Sequence, residues 1–177
     1  MATGDRDPWP LYYGEDQGVL IDQRDPRLNP SGDGNIAAYG CAMMCCFATG
    51  HWVAGRSFPT AARILQLHEI CVRKGFIGDE CYVQDWEKTI NTAAGMAMVA
   101  YEGGHSPPDF PLDPGWIVFD VWKQPKYGKH FVWRHPIRYD PLSSASHGLS
   151  WSRKRGTKVG RRAFKVLEAA NRGWLTT

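Results

Sequence analysis

The chain divides into a helix-forming first part and a strand-forming second part, and this order restricts the fold more than any other feature. Apolar residues between 35 and 95 suit helices, whereas short runs rich in Val, Ile and aromatic residues follow Gly95. Separated helices and strands predict an α+β fold, with the N-terminal helical part packed on a C-terminal antiparallel β-sheet. At 177 residues the chain suits one domain. We predict an extended N-terminal arm over 1–34 and a single domain over 35–177, in which 151–177 is basic.

Two helices have clear end signals. The clearest covers 59–75, where Ser57 or Thr60 is the N-terminal cap and Lys74 followed by glycine is the stop signal. The second runs from 86 to about 94, with Asp85 as its cap and a glycine after it.

The second part contains several predicted strands. An apolar run covers 96–101, and a loop is predicted over 103–108. Residues 115–122 are apolar on both faces and predict a central strand. The strand at 130–134 reverses at His135-Pro136 into a further strand ending at Asp140.

The basic segment near the C-terminus allows two interpretations. Alternation over 162–167 suits an exposed edge strand protected by charge, and the same cations could bind a polyanion. We favour the edge strand, because a net charge of +3 gives no general case for binding nucleic acid.

A cysteine stands where a glycine-rich loop meets an apolar helix. Cys41 follows Gly40 directly and begins a run that ends at Gly50. A thiol at a helix N-terminus is favoured as thiolate, the form that acts as a nucleophile. Asn35, six residues upstream, could donate to a developing oxyanion. Cys45, one turn later, is the second candidate nucleophile, in a position that gains less from the helix N-terminus.

The alternative interpretation of these cysteines is core packing, because free cysteine is among the most buried residue types. The five cysteines are an odd number and include no CxxC pair, so neither a disulfide framework nor a zinc site is indicated. His68 and Cys71 are three residues apart on a predicted helix, where a packed face is favoured over a metal site. We therefore expect no metal and no organic cofactor.

Two later residues complete a catalytic pattern with Cys41. His130 begins one predicted strand and Asp140 ends the strand that folds back from it, so the two could meet at one end of the sheet. A thiolate that attacks a carbonyl needs an imidazole to protonate the leaving amine and a third group to orient that imidazole. The sequence therefore predicts a Cys41, His130 and Asp140 triad, with Asn35 as the oxyanion donor.

The order Cys, His, Asp, with helices before the sheet, resembles the papain-like cysteine peptidases. Asn35 with Tyr39-Gly40-Cys41-Ala42-Met43-Met44, His130-Phe131-Val132 and Tyr139-Asp140-Pro141 is most similar to the bacteriocin-processing (double-glycine leader) peptidase family. The resemblance covers residues 35 to about 142. It implies a papain-like fold and a cysteine peptidase or amidase that cleaves a peptide or isopeptide bond, including a peptidoglycan crosslink.

The segment 75–86, after the Tyr-Gly-Cys sequence, also resembles small uncharacterised prophage-encoded proteins. This implies the alternative function of a non-catalytic structural component of a phage tail or other virion assembly, reaching its neighbours through 1–34 and the basic tail. Asn in place of the family's Gln at 35 favours this alternative, as does the content of eight Trp. Of these, Trp52, Trp116 and Trp133 could line a cleft, although core packing is favoured.

The N-terminus has no basic region followed by an apolar run, and no stretch reaches 18 apolar residues. The sequence therefore predicts neither a signal peptide nor a membrane span. We expect a protein that is cytoplasmic at synthesis, with virion association under the phage interpretation.

Overall fold

The computed structural model describes residues 21–105, 115–124, 128–137, 139–142 and 156–167. Within these ranges four α-helices precede four β-strands, which confirms the predicted α+β class. The helices are α1 (Asn35–Tyr39), α2 (Cys41–Val53), α3 (Ala61–Arg73) and α4 (Trp86–Ala94). The strands are β1 (Val99–His105), β2 (Trp116–Gln124), β3 (Gly128–His135) and β4 (Thr157–Val166).

The predicted caps of α3 and α4 are confirmed. The Thr60 side chain accepts a hydrogen bond from the Arg63 backbone N–H at the start of α3, and Asp85 does the same for Lys88 at the start of α4. Gly95 ends α4 in the left-handed conformation, with φ of 80°. These local signals explain why both boundaries can be read from the sequence.

The strands form one antiparallel sheet in the order β1-β4-β2-β3. The central position predicted for 115–122 is confirmed, because β2 pairs with both β3 and β4. The edge-strand prediction for 162–167 is wrong: β4 pairs on both sides, with β1 and β2. Ala163 and Phe164 are buried, and the buried Arg161 is paired with Asp120 of β2 at 2.8 Å, so an inner position is possible despite the basic composition.

Two smaller predictions are also corrected. The loop expected from residue 103 begins later, because Gly103 to His105 pair with β4 beyond an irregularity after Tyr101. The strand predicted over 137–140 is reduced to a single antiparallel bridge between Trp133 and Tyr139. This bridge still runs the chain back beside β3 and brings Asp140 to the level of His130.

Helix α2 lies at the centre of the core. Twelve of its 13 residues are buried, so it is apolar on every side. It packs on α4 and along β3. Gly50 permits the close approach to α4, since a Cβ there would lie 2.5 Å from the Cβ of Ala93. The start of α2 is thereby fixed between the helices and the sheet.

The described part of the predicted arm, 21–34, packs against the rest of the domain. Ile21 and Leu28 are buried, and the Ile21 carbonyl accepts a 2.7 Å hydrogen bond from the Tyr139 hydroxyl. Residues 1–20 and most of 151–177 lie outside the described ranges, as do the proposed contacts of these segments with neighbouring subunits. None of the described helices has the length and apolar character needed to cross a bilayer.

Candidate active site

A glycine at the junction of α1 and α2 determines the position of Cys41. Gly40 keeps a right-handed backbone, and its N–H donates to the Ile36 carbonyl at 2.8 Å. A Cβ at this position would lie 2.5 Å from that same carbonyl oxygen, so a larger residue would require the backbone to shift. Cys41 is therefore held as the first residue of α2, at the positive end of a 13-residue helix.

The structure brings Cys41, His130 and Asp140 together. His130 Nε2 and Asp140 Oδ1 are 2.7 Å apart, and both residues are almost fully buried. The Cys41 side chain also interacts with the imidazole and favours its charged form. Because Nε2 faces Asp140, Nδ1 is the ring nitrogen that remains for the thiol. The arrangement places an imidazole between a thiol and a carboxylate.

The electrostatics of this cluster favour a charged imidazole. Burial opposes protonation of the ring, but the hydrogen bonds and charges of Asp140 and Cys41 outweigh it and raise the pKa of His130 from 6.5 to about 9. The imidazolium form therefore persists through neutral pH. An imidazolium beside a thiol stabilises the thiolate.

The carboxylate is itself oriented. Asp140 Oδ1 accepts a second hydrogen bond, of 3.0 Å, from the Leu142 backbone N–H. The Pro141 carbonyl accepts a 2.7 Å bond from the Gln23 N–H, which joins the end of this segment to the N-terminal region. Asp140 is thus held by its own turn and by a segment more than a hundred positions earlier in the sequence.

A cleft of about 240 Å³ opens beside Cys41. One side is formed by α1 and the start of α2, and another by the 3₁₀ turn at Asp79–Cys81. Glu80 and Cys81 in this turn have positive φ values of 55° and 58°, which are strained for residues with side chains. The remaining lining includes Trp86, Phe131, Lys129 and Arg162.

The structure does not bring Asn35 to this cleft. Asn35 is exposed at the first position of α1 and is not among the residues that line the cavity beside Cys41. Its assignment as an oxyanion donor stays a prediction.

A buried amide that the sequence did not single out lies nearby. Gln23 is 1% exposed, and its Nε2 donates to the Ala37 carbonyl at 2.7 Å. The series of helical hydrogen bonds is interrupted after Gly40, and Gln23 binds the carbonyl that a continuous helix would have paired with the Cys41 N–H. Gln23 falls in the segment predicted as an arm, where no local signal marks it.

The other cysteines differ from Cys41 in their surroundings. Cys45 is fully buried and its thiol donates to the Phe131 carbonyl at 3.7 Å, while burial raises its pKa well above the usual value. Cys81 lines the same cleft as Cys41, and burial raises its pKa to about 12. Neither surrounding stabilises a thiolate.

Of the remaining sequence candidates, Trp133 is buried, whereas Trp52, Trp116 and His68 are half-buried. Trp133 is fully buried and meets Trp52 edge to face at 5.5 Å, and neither lines the cleft. His68 Nε2 lies 3.8 Å from the Cys81 sulfur. Among the described residues, no three His, Cys, Asp or Glu side chains are grouped so as to hold a metal ion.

Comparison with known proteins gives no relative. No protein-family model matches the chain, and neither the curated proteins nor the solved structures include a match. Only the geometry of the site therefore indicates what the protein does.

Proposed function

We propose that this protein is a cysteine hydrolase of papain-like arrangement, which cleaves a peptide or isopeptide bond through Cys41, His130 and Asp140. The single observation that carries the proposal is the buried imidazole of His130, which is 2.7 Å from Asp140 and also interacts with the Cys41 side chain. Cys41 also opens a buried helix beside a cleft. The order of helices and strands and the resemblance of the short motifs support the same arrangement.

In this mechanism the Cys41 thiolate attacks the carbonyl carbon of the substrate and forms a C–S bond. The C–N bond then breaks, and the His130 imidazolium gives its proton to the leaving amine. Water attacks the resulting thioester, His130 takes the proton of that water, and Cys41 leaves as thiolate. Asp140 keeps the ring oriented throughout and stabilises it whenever it carries the positive charge.

We expect the backbone N–H of Cys41 to stabilise the tetrahedral oxyanion. It lies at the N-terminus of α2, where helix amides favour negative charge. Gln23 supports this role by binding the Ala37 carbonyl, with which the Cys41 N–H would pair in an unbroken helix. The oxyanion site would then need no side chain from Asn35.

The test is the pH dependence of iodoacetamide labelling, resolved by site with mass spectrometry. Cys41 should label fast below pH 7, and this reactivity should be lost in His130→Ala and reduced in Asp140→Asn. Cys81 serves as an internal control, because it lines the same cleft but has a pKa of about 12 and should stay unlabelled. Circular dichroism checks that each variant is folded.

An outcome against the proposal is equally clear. If folded wild-type protein labels Cys41 no faster than an ordinary thiol with a pKa of about 8.5, no thiolate–imidazolium pair exists. The alternative of a structural component of a virion assembly would then be favoured. If labelling is fast, peptides and peptidoglycan fragments are the substrates to screen first.

A further inference from the structure

Two cations are among the residues that line the cleft. Lys129 precedes His130 on β3, and Arg162 lies on β4. The same two side chains line a second cavity of about 420 Å³, which extends over the sheet to Gly104 and Gly160. Lys129 and Arg162 therefore stand between the two cavities, next to the space that adjoins Cys41.

The guanidinium group of Arg162 is held in place by its neighbours. Its central carbon lies 5.8 Å from the centre of the Trp86 ring, and its Nη1 donates to the Arg161 carbonyl at 3.1 Å. Gly104, its partner on β1, provides room for the group, since a Cβ there would lie 2.5 Å from Nη1. A guanidinium has five N–H donors, so donors remain for a ligand.

The charge of this pair is not neutralised within the described ranges. Neither Lys129 nor Arg162 lies within 4.0 Å of a carboxylate there, whereas the adjacent Arg161 is paired with the buried Asp120 at 2.8 Å. Among the described residues that line the first cavity, Glu80 alone is acidic, so cations outnumber it. Cations without a partner in a cleft attract anions.

We infer that the cleft selects substrates that carry a carboxylate close to the scissile bond, with Arg162 and Lys129 as the carboxylate-binding subsite. This inference rests on the proposed function, because it places the subsite relative to Cys41. The substrate class is an acidic peptide segment, in which a side-chain or terminal carboxylate accepts hydrogen bonds from the guanidinium while the adjacent carbonyl is presented to the thiolate.

The experiment compares two alkylating reagents of the same shape, N-iodoacetyl-glutamate 1-amide and N-iodoacetyl-glutamine 1-amide. The alkylation rate of Cys41 is measured for each at pH 9, where an ordinary thiol is largely ionised, and at pH 6.5. In the wild type, the rate with the glutamate reagent divided by the rate with the glutamine reagent should be well above one. This ratio should fall about tenfold in Arg162→Gln, the effect of losing one charge-assisted hydrogen bond, and less in Lys129→Gln.

Two further variants sharpen the interpretation. Lys165→Gln removes the same charge from the same strand, outside both cavities, and should leave the ratio unchanged. Gly104→Ala keeps every charge but displaces the guanidinium, so the ratio should fall as in Arg162→Gln. If Arg162→Gln loses the preference for the glutamate reagent but Gly104→Ala keeps it, the exact position of the guanidinium does not matter. General electrostatic attraction would then replace the proposed subsite.

The two proposals fail in different ways. If the glutamate and glutamine reagents alkylate Cys41 of the wild type at nearly equal rates, the carboxylate-binding subsite is overturned. Fast labelling by iodoacetamide would still support the hydrolase. Slow iodoacetamide labelling below pH 7 overturns the hydrolase, and the reagent ratio at pH 9 still decides whether the two cations bind a carboxylate beside Cys41.

Discussion

The protonation of His130 should make the stability of the fold depend on pH between about 6.5 and 9. A folded-state pKa raised from 6.5 to about 9 corresponds to about 3 kcal/mol of extra stability for the protein with a charged ring. Because the pKa is higher in the folded state than in the unfolded chain, this contribution is complete below pH 6.5. It is lost as pH rises through about 9.

The variant Asp140→Asn isolates this contribution. Asparagine keeps the size of the side chain and an acceptor oxygen, but it removes the charge that favours the imidazolium. Burial is then opposed only by Cys41, so the pKa of His130 should fall well below about 9. The difference in unfolding free energy between the wild type and the variant should therefore be about 2 to 3 kcal/mol larger at pH 6 than at pH 9.5.

Urea denaturation followed by tryptophan fluorescence at pH 6, 7.5 and 9.5 measures these differences. Asp85→Asn is the matched control: despite partial burial, the Lys88 hydrogen bonds lower the pKa of this capping carboxyl, so it stays ionised over the whole range. Its effect should be the same at all three pH values. An equally constant difference for Asp140→Asn would refute the argument, because it would mean that His130 gains no proton on folding in this range.

Three further changes test other parts of the site and core. Replacing Cys41 with alanine should lower the pKa of His130, measured by NMR titration, by less than Asp140→Asn does. An unchanged pKa would contradict the interaction between the thiol and the imidazole. Gly50→Ala should cost about 1 to 3 kcal/mol in urea denaturation, because its Cβ would meet that of Ala93. Tyr139→Phe should cost about 1 kcal/mol through loss of the hydrogen bond to the Ile21 carbonyl. An unchanged midpoint in either variant would count against the contact concerned.

The sequence predicts the elements whose signals are local. Thr60 and Asp85 cap their helices because a short polar side chain can bind the N–H groups of the next turn wherever the helix packs. The central position of β2 follows from apolar residues on both of its faces. The meeting of His130 and Asp140 follows because only nine residues separate them around one reversal.

The errors concern features that depend on distant partners. The charge of β4 suggested an edge, but strand order is decided by which neighbours cover both sides, and no local pattern of 162–167 carries that information. Gln23, Trp86 and Arg162 reach the site from three separate segments. Each has an ordinary local context, so only the packed structure relates them to Cys41.

The stability of single and double variants at His130 and Asp140 distinguishes a catalytic from a structural role of this buried pair. Replacing a buried polar pair with apolar residues is often neutral or stabilising, whereas removal of one partner alone costs about 3 to 5 kcal/mol. We therefore expect the double variant His130→Leu/Asp140→Val to be more stable than the single variant Asp140→Val in urea denaturation at pH 8.

The same double variant should lose the fast alkylation of Cys41. If the double variant keeps its stability but loses the fast alkylation of Cys41, the pair acts on the thiol. Loss of a purely structural pair would instead lower the stability and leave the alkylation rate unchanged. If the double variant is instead as unstable as the sum of its single changes, the pair is required for folding. The burial of a charged imidazole beside Cys41 would then be no evidence for catalysis.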